Sequence, residues 1–280
     1  MHPLPEYPRP AMRRDSYENL NGLWKYAITQ TAEYPAAWDG SILVPYSPET
    51  KASGVGRTLQ PGQWLHYHCT FAPPPGEGGR VLLHFGAVDQ TATVWCNGVE
   101  LATHSGGYLP FTVDITEVLA KENTILVCVR DATNKSQLPR GKQTLHPHGI
   151  WYTPQSGIWQ TVWAELVPER YIGSLLFTPE LPEGRIRWQV FSAAPQGAKV
   201  SVCYQGEPVA EGETDADGCG SAVIAPEQLH LWTPETPELY DVTVTLGDDT
   251  VKSYFAMRTV GTGRDAAGHP CLLLNGQPHF

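Results

Sequence analysis

Short β-type runs separated by turns constrain the fold of this chain more than any other feature. WLHYHCTF (64–71) alternates bulky and polar residues, and NTILVCVRD (123–131) is a β-branched run of the kind found in buried strands. The 27 glycines and 25 prolines among 280 residues supply turn formers in abundance. The sequence contains no convincing amphipathic helix longer than two turns. The pattern therefore predicts an all-β protein.

Turn residues indicate how some of these strands pair. Asn97-Gly98 favours a type I′ hairpin, because both central positions of that turn need positive φ. Gly247-Asp248-Asp249 links two alternating runs and predicts a second hairpin. FTVDITEVL (111–119) is expected to open as a strand and end in a short helical turn, and GIWQTVWAELV (157–167) is expected to form one strand.

The strand pattern restarts at Pro168, which indicates a second domain. Residues 168–262 contain about seven short strand-like runs with Gly/Asp turns, as is typical of an immunoglobulin-like β-sandwich. We therefore predict a first domain at 1–167, a second at 168–262 and a remaining segment at 263–280.

Charge and cysteine usage exclude several classes of protein. With 19 basic and 29 acidic residues, the net charge of −10 argues against nucleic-acid binding. We find neither a signal peptide nor an apolar run of membrane-spanning length, so no membrane partner is expected. None of the six cysteines forms a CxxC pair, which predicts reduced thiols in a cytoplasmic protein, without disulfides or zinc.

Familiar catalytic and cofactor motifs are missing from the sequence. There is no GxSxG, GxGxxG, P-loop or HExxH, so no cofactor is expected. Asp215-Ala216-Asp217-Gly218 lacks the glutamate of a calcium loop and is interpreted as a hairpin turn. His146-Pro147-His148 has no third ligand, so no metal site is expected.

A segment of about 23 residues, from Ala132 to Pro154, has no strand pattern. Loops of this length in compact domains are usually functional or disordered, and its aromatic content favours an ordered, functional loop. Trp151 in the loop either faces a ligand or fills the core. Asp131, at the end of the preceding strand, either accepts ligand hydroxyls or caps the next turn. Trp159, just after the loop, is interpreted as a core residue.

Ten segments together resemble glycoside hydrolase family 2, the family of β-galactosidases, β-glucuronidases and β-mannosidases. The matching segments are LNGLWKY (20–26), VPYSPET (44–50), WLHYHCTF (64–71), LLHFGAVDQTATVWCNGVELATHSGGYLPFTVDIT (82–116), NTILVCVRDAT (123–133), PRGKQ (139–143), GIWYTPQSGIWQTVWAELV (149–167), LWTPETPELYDVTVTL (231–246), FAMRTV (255–260) and LLLNGQPHF (272–280). Their order and spacing, rather than any single segment, make the resemblance specific.

The resemblance implies three domains: a jelly-roll sugar-binding β-sandwich, an immunoglobulin-like sandwich and a TIM barrel that carries two catalytic glutamates. Residues 263–280 would lead into the barrel, which needs about 250 residues. We therefore expect a non-catalytic N-terminal fragment of a retaining β-glycosidase, β-galactosidase-like and inactive alone, that supports the barrel as a scaffold. The oligomeric state stays open, a homo-oligomer included.

The same resemblance implies substrate-binding residues in and before the loop, and no catalytic residue in this chain. They are Asp131, which matches the family's strand-ending aspartate, Arg140 and Lys142 of PRGKQ, and the aromatic pair Trp151 and Tyr152. Trp151 stands where other members place an aspartate, a departure from glucuronidase-type contacts. Two alternatives stay open: a stand-alone carbohydrate-binding module and a purely structural scaffold.

Overall fold

The chain folds into two compact units, described for residues 3–279 in a computed structural model. The first unit comprises residues up to Pro8 together with Ser16–Val167, and the second comprises Arg9–Asp15 together with residues from Pro168 onward. No sequence signal marks the transfer of residues 9–15 to the second unit, so the predicted first domain, 1–167, differs here from the structure. Residues 1, 2 and 280, the outermost of the predicted ranges, lie outside the described residues.

The first unit is a jelly-roll sandwich of antiparallel strands. Its strands are β1 (Tyr17–Asn19), β2 (Gly22–Thr29), β3 (Gly40–Val44), β4 (Trp64–Phe71), β5 (Arg80–Phe85), β6 (Val88–Asp89), β7 (Thr91–Cys96), β8 (Val99–Ser105), β9 (Phe111–Asp114), β10 (Asn123–Arg130), β11 (Gly157–Ile158) and β12 (Val162–Val167). One sheet has the order β1-β12-β5-β9, a second has the order β3-β2-β4-β10-β7-β8, and β11 pairs with β6. Short 3-10 turns occupy Lys51–Ser53, Thr116–Val118 and Thr133–Lys135.

Alternation along the strands builds the core of this unit. In β7, Ala92, Val94 and Cys96 are fully buried, whereas the residues between them are half-buried, because successive side chains point to opposite faces of a sheet. Trp24 and Tyr67 are among the largest fully buried side chains of the same core.

Several local predictions for this unit are confirmed. Asn97 and Gly98 have φ of 51° and 82° and connect β7 to β8. The strand β9 is followed by a 3-10 turn, as FTVDITEVL predicts. The prediction of one strand over 157–167 is wrong, because β11 pairs with β6 while β12 pairs with β1 and β5.

The second unit contains an immunoglobulin-like sandwich, as predicted. Its strands are β13 (Ser174–Glu180), β14 (Arg185–Phe191), β15 (Lys199–Tyr204), β16 (Glu207–Glu213), β17 (Cys219–Val223), β18 (Tyr240–Leu246), β19 (Asp249–Phe255), β20 (Val260–Arg264), β21 (Pro270–Leu274) and β22 (Gln277–Pro278). The sheets have the orders β13-β14-β17, β16-β15-β18-β19 and β20-β21-β22, and 3-10 turns lie at Pro10–Met12, Leu181–Glu183 and Pro226–Gln228. Gly247, at φ 60°, lies in the predicted hairpin between β18 and β19.

The N-terminal segment Arg9–Asp15 packs along β19 of the second unit. Arg13 exchanges two backbone hydrogen bonds with Lys252, both of 2.9 Å, and Met12 is buried in this unit's core. Arg14 Nε and Nη2 donate to the two oxygens of Asp249 at 2.9 and 2.8 Å, with both side chains almost fully buried. A buried charge of this kind needs its partner, so the segment is an integral part of the second unit.

Two further findings concern residues 3–279 as a whole. All six cysteines carry free thiols. A helix of the length and apolar character needed to cross a membrane was not found among these residues.

Candidate functional site

The loop from Ala132 to Pro154 is held by its own backbone hydrogen bonds. His148 and Trp151 exchange bonds of 3.1 and 2.8 Å, and the Tyr152 amide donates to the Lys142 carbonyl at 2.6 Å. The Thr144 amide in turn donates to the Tyr152 carbonyl at 3.0 Å. The loop therefore contains a tight turn at His148–Trp151 and a parallel bridge between Gln143 and Tyr152, which set the position of Trp151 and Tyr152.

Asp131 lies beneath this loop rather than on its surface. Its side chain is only 2% exposed and accepts hydrogen bonds from the Thr133 amide at 2.6 Å and the Ser156 hydroxyl at 2.8 Å. Burial raises the pKa of this carboxyl. The sequence left two interpretations of Asp131 open, and the bond from the Thr133 amide agrees with the one in which Asp131 caps the next turn. A direct contact of Asp131 with sugar stays a prediction.

The other four predicted residues lie at the surface of the loop. Tyr152 is 63% exposed and Trp151 is 38% exposed. Arg140 and Lys142 are also exposed, and Arg140 Nη1 donates to the Ser136 carbonyl at 3.3 Å. Only Lys142 and Tyr152 border the cavity described next, so the structure gathers two of the five predicted residues at one place.

A cavity of about 330 Å³ opens against this loop, and we call it the loop cavity. The residues that matter for its chemistry are Asp89, Tyr108, Lys142, Gln143, Tyr152 and Trp159. Together they offer a carboxyl group, an amide, two phenols, an ammonium group and aromatic faces. Such a mixture suits a ligand that carries several hydroxyl groups as well as C–H faces.

Asp89, which the sequence reasoning missed, is the most unusual group in the loop cavity. Its side chain is 2% exposed, and its Oδ2 accepts from Gln143 Nε2 at 3.2 Å. Its Oδ1 is buried without a hydrogen-bond partner among residues 3–279. Gly107 makes room for it, because a Cβ at position 107 would lie 2.6 Å from the Asp89 carboxyl carbon. An acidic residue between two buried strand-like runs, in HFGAVDQTATV, was the available signal.

Two buried carboxyl groups, Asp89 and Asp131, and the half-buried Glu49 interact electrostatically beside this cavity. Glu49 accepts from the Leu59 and Ser156 amides at 3.2 and 3.1 Å, and burial raises its pKa. The pKa of Asp89 is raised to about 7, first by burial and then by the charge of Asp131. Asp89 can therefore accept or donate a hydrogen bond near neutral pH, whereas a ligand anion beside it would be repelled.

The walls of the loop cavity are fixed by hydrogen bonds. Gln143 Oε1 accepts from the Gln155 amide at 2.7 Å, and Gln143 Nε2 donates to the Tyr108 hydroxyl at 3.2 Å. The Trp159 indole donates to the Gly107 carbonyl at 2.7 Å. The interpretation of Trp159 as a core residue is wrong: it is half-buried and lines the cavity.

Gly157 permits a close approach between two strands of the first unit. Its φ is +75°, and a Cβ there would overlap the hydroxyl of Tyr67 and the side chain of Leu65. The Tyr67 hydroxyl accepts from the Ile158 amide at 3.1 Å, so the backbone of β11 is held against β4. This close packing places Ser156 directly over Asp131 and Glu49.

His146 and His148 do not form part of a metal cluster in the described range. His148 Nδ1 lies 2.7 Å from the His146 carbonyl oxygen. Among residues 3–279, no group of three or more His, Cys, Asp or Glu side chains is arranged to hold a metal ion.

Comparison with known families agrees with the two sandwiches. A model described as "Glycosyl hydrolase 2 galactose-binding domain-like" matches residues 52–159, and one described as "Glycosyl hydrolases family 2" matches residues 171–258. The chain belongs to glycoside hydrolase family 2. The resemblance inferred from the sequence is thereby confirmed.

Relatives within glycoside hydrolase family 2 carry two enzyme names. A β-glucuronidase of Paenibacillus borealis is 31% identical to this chain, and the match covers 86% of this chain and 44% of the relative. A β-glucuronidase of Felis catus is 26% identical, and the match covers 98% of this chain and 48% of the relative. A β-galactosidase of Thermoanaerobacter pseudethanolicus is 26% identical over 72% of this chain and 28% of its own length. This chain corresponds to the N-terminal part of such family 2 proteins and spans about half their length or less.

Solved structures of family 2 proteins have the same fold. A Ruminococcus gnavus β-glucuronidase superposes with a TM-score of 0.75 at 22% identity, over 98% of this chain and 48% of its own. A β-glucuronidase from Faecalibacterium prausnitzii superposes with a TM-score of 0.71 at 25% identity, over 95% of this chain and 49% of its own.

Proposed function

We propose that this chain is the non-catalytic N-terminal half of a retaining β-glycosidase and that the loop cavity forms part of its sugar site. Retaining hydrolysis needs two carboxyl groups about 5 Å apart, one as nucleophile and one as acid/base. We assign both to a C-terminal TIM barrel of the same protein, as the family resemblance implies. A cytoplasmic location and a homo-oligomeric state remain proposals that rest on the sequence.

The observation that carries this proposal is Asp89, a buried carboxyl group that borders the loop cavity and has one oxygen without a hydrogen-bond partner among residues 3–279. A buried carboxyl oxygen without a partner is costly, and a sugar hydroxyl that donates to it would remove that cost. Gln143 offers a neighbouring amide, while Tyr152 and Trp159 offer aromatic faces for the C–H face of a sugar ring. All four groups belong to the first unit.

We further propose that the sugar unit held here is neutral rather than a uronate. Asp89 borders the cavity with Asp131 and Glu49 close to it, and each of these carboxyl groups repels an anion when it is ionised, whereas Lys142 is exposed to water, which screens its attraction for an anion. Trp151 in place of the family's aspartate supports the same choice. Galactosides are the natural first substrates to test, although most of the relatives described above are named β-glucuronidases.

Turnover measurements test the main proposal. The chain alone should not hydrolyse nitrophenyl β-galactoside or β-glucuronide above background, whereas the full-length gene product should hydrolyse the galactoside. Replacing Asp89→Asn in the full-length enzyme should lower kcat/KM roughly 10- to 100-fold, as expected for loss of a hydrogen bond to a charged group. Asp217→Asn, in an exposed turn of the second unit, is the matched control. Hydrolysis by the chain alone, or a gene that encodes no barrel, would overturn the proposal.

The second candidate function is a stand-alone carbohydrate-binding module. It is favoured by one observation, namely that all the residues that line the loop cavity belong to the first unit. Calorimetry with galactosides and glucuronides separates the candidates, because millimolar or tighter binding by this chain alone would favour the module. A purely structural scaffold predicts instead that Asp131→Ala and Trp151→Ala leave turnover of the full-length enzyme unchanged.

A further inference from the structure

A second cavity, of about 320 Å³, lies in the first unit, and we call it the Tyr46 cavity. The groups that matter here are Asn21, Tyr46, Ser47, Gln155, Trp159 and Thr161. None of the described residues that line it is charged. Two amides, three hydroxyls and two aromatic rings thus belong to the residues that line one space, a combination that suits a neutral, hydroxyl-rich ligand.

Ser47 is the buried polar residue that borders this cavity. The residue is 3% exposed, and its hydroxyl has no partner among residues 3–279. Buried hydroxyls are normally paired, since leaving one without a partner is unfavourable. An apolar ligand would leave this group unsatisfied, whereas a ligand hydroxyl would pair with it.

The side chain of Asn21, which also lines this cavity, is already positioned. Asn21 Nδ2 donates to the Thr161 hydroxyl and to the Leu4 carbonyl, both at 3.1 Å. Asn21 Oδ1 accepts from the Val162 amide at 3.4 Å. Because these bonds hold the side chain in place, little ordering would be required when a ligand binds.

The two cavities share a wall. Gln155 and Trp159 line both of them, so the cavities lie side by side. The indole is held by its bond to the Gly107 carbonyl and by an edge-to-face contact with Tyr108, at 6.1 Å between ring centroids. It cannot turn away without losing both contacts.

We propose that the Tyr46 cavity is a second carbohydrate subsite, which takes a neutral sugar residue linked to the one in the loop cavity. This inference rests on the proposed function, because it requires the loop cavity to hold sugar. With two adjacent subsites, the preferred ligand of this chain is a neutral di- or oligosaccharide rather than a monosaccharide.

NMR titration of the isotope-labelled chain with galactose, lactose and galactobioses tests the subsite and detects the weak binding expected without a barrel. Galactose should shift the signals of Gln143 and Tyr152 alone. A disaccharide should also shift those of Asn21 and Ser47. Ser47→Ala should weaken disaccharide binding roughly 2- to 10-fold, the effect of one hydrogen bond, and leave galactose binding unchanged.

Tyr46→Ala is the second variant, in case Ser47→Ala does not fold, and should weaken disaccharide binding in the same way. Tyr34→Ala, an exposed aromatic residue that lines neither cavity, is the control. Disaccharides that shift only Gln143 and Tyr152, or no shift with any sugar, overturn the subsite. The proposed function is judged separately, by turnover of the full-length enzyme and its Asp89→Asn variant.

Discussion

Replacing Asp89 by asparagine should stabilise the folded protein in alkaline solution while it weakens sugar binding. The pKa of this buried carboxyl is raised from 3.8 to about 7, first by burial and then by the charge of Asp131. The difference is about 3 pH units, and each corresponds to about 1.4 kcal/mol. The ionised carboxylate therefore destabilises the fold by about 4 kcal/mol.

The sign of the effect follows from the two pKa values of Asp89. Below pH 3.8 the carboxyl is protonated in the folded and the unfolded chain, so it imposes no penalty. As the pH rises from 3.8 to about 7, the unfolded chain ionises first and stability is lost. Above that window the penalty is constant. Asp89→Asn removes this penalty. The net gain in stability is smaller than the penalty, because the new amide is buried where Oδ1 lacks a partner.

Urea denaturation at about pH 4 and about pH 8, followed by NMR signals of the first unit, measures this difference. We expect Asp89→Asn to raise the free energy of unfolding by about 2–4 kcal/mol at the higher pH and by less than about 1 kcal/mol at the lower. Asp217→Asn, in an exposed turn, should change neither value. An equal effect of Asp89→Asn at both pH values would refute the assignment of a raised pKa to this residue.

Further predictions concern the packing of both units. Arg14→Met should destabilise the second unit by about 3–5 kcal/mol, because it leaves Asp249 buried without its counter-ion. Lys252→Met, at an exposed pair, is the control and should cost at most about 1 kcal/mol; equal losses would contradict the distinction between the two pairs. Gly157→Ala should cost at least about 2 kcal/mol, since it combines positive φ with a clash against Tyr67. Thermal unfolding monitored unit by unit checks all three, and a neutral Gly157→Ala would show that this close approach is dispensable.

The candidate site was only partly predictable. Sequence reasoning chose the loop that borders the cavity, because a long aromatic-rich segment between strands stands out locally, and the family resemblance pointed to Lys142 and Tyr152 within it. It missed Asp89 and misassigned Trp159 to the core. Asp89 meets Gln143 across 54 positions of sequence, and no local pattern encodes that meeting.

Local chemistry explains what the sequence determined by itself. Alternation along β7, the positive-φ pair at Asn97-Gly98 and the restart of strands at Pro168 depend on neighbours a few residues apart, so they could be read without coordinates. The seven strands of the immunoglobulin-like sandwich follow from the same short-range signals.

Only the tertiary structure decided which distant groups come together. The Arg14–Asp249 pair joins positions 235 residues apart. The chain has 29 acidic residues, so the sequence alone does not indicate which of them pairs with Arg14. Likewise Trp159, which lines two cavities, lies between β11 and β12, and these strands belong to different sheets, a break that GIWQTVW does not show. Strand periodicity specifies which face a side chain occupies, but sheet pairing and burial determine what that face meets.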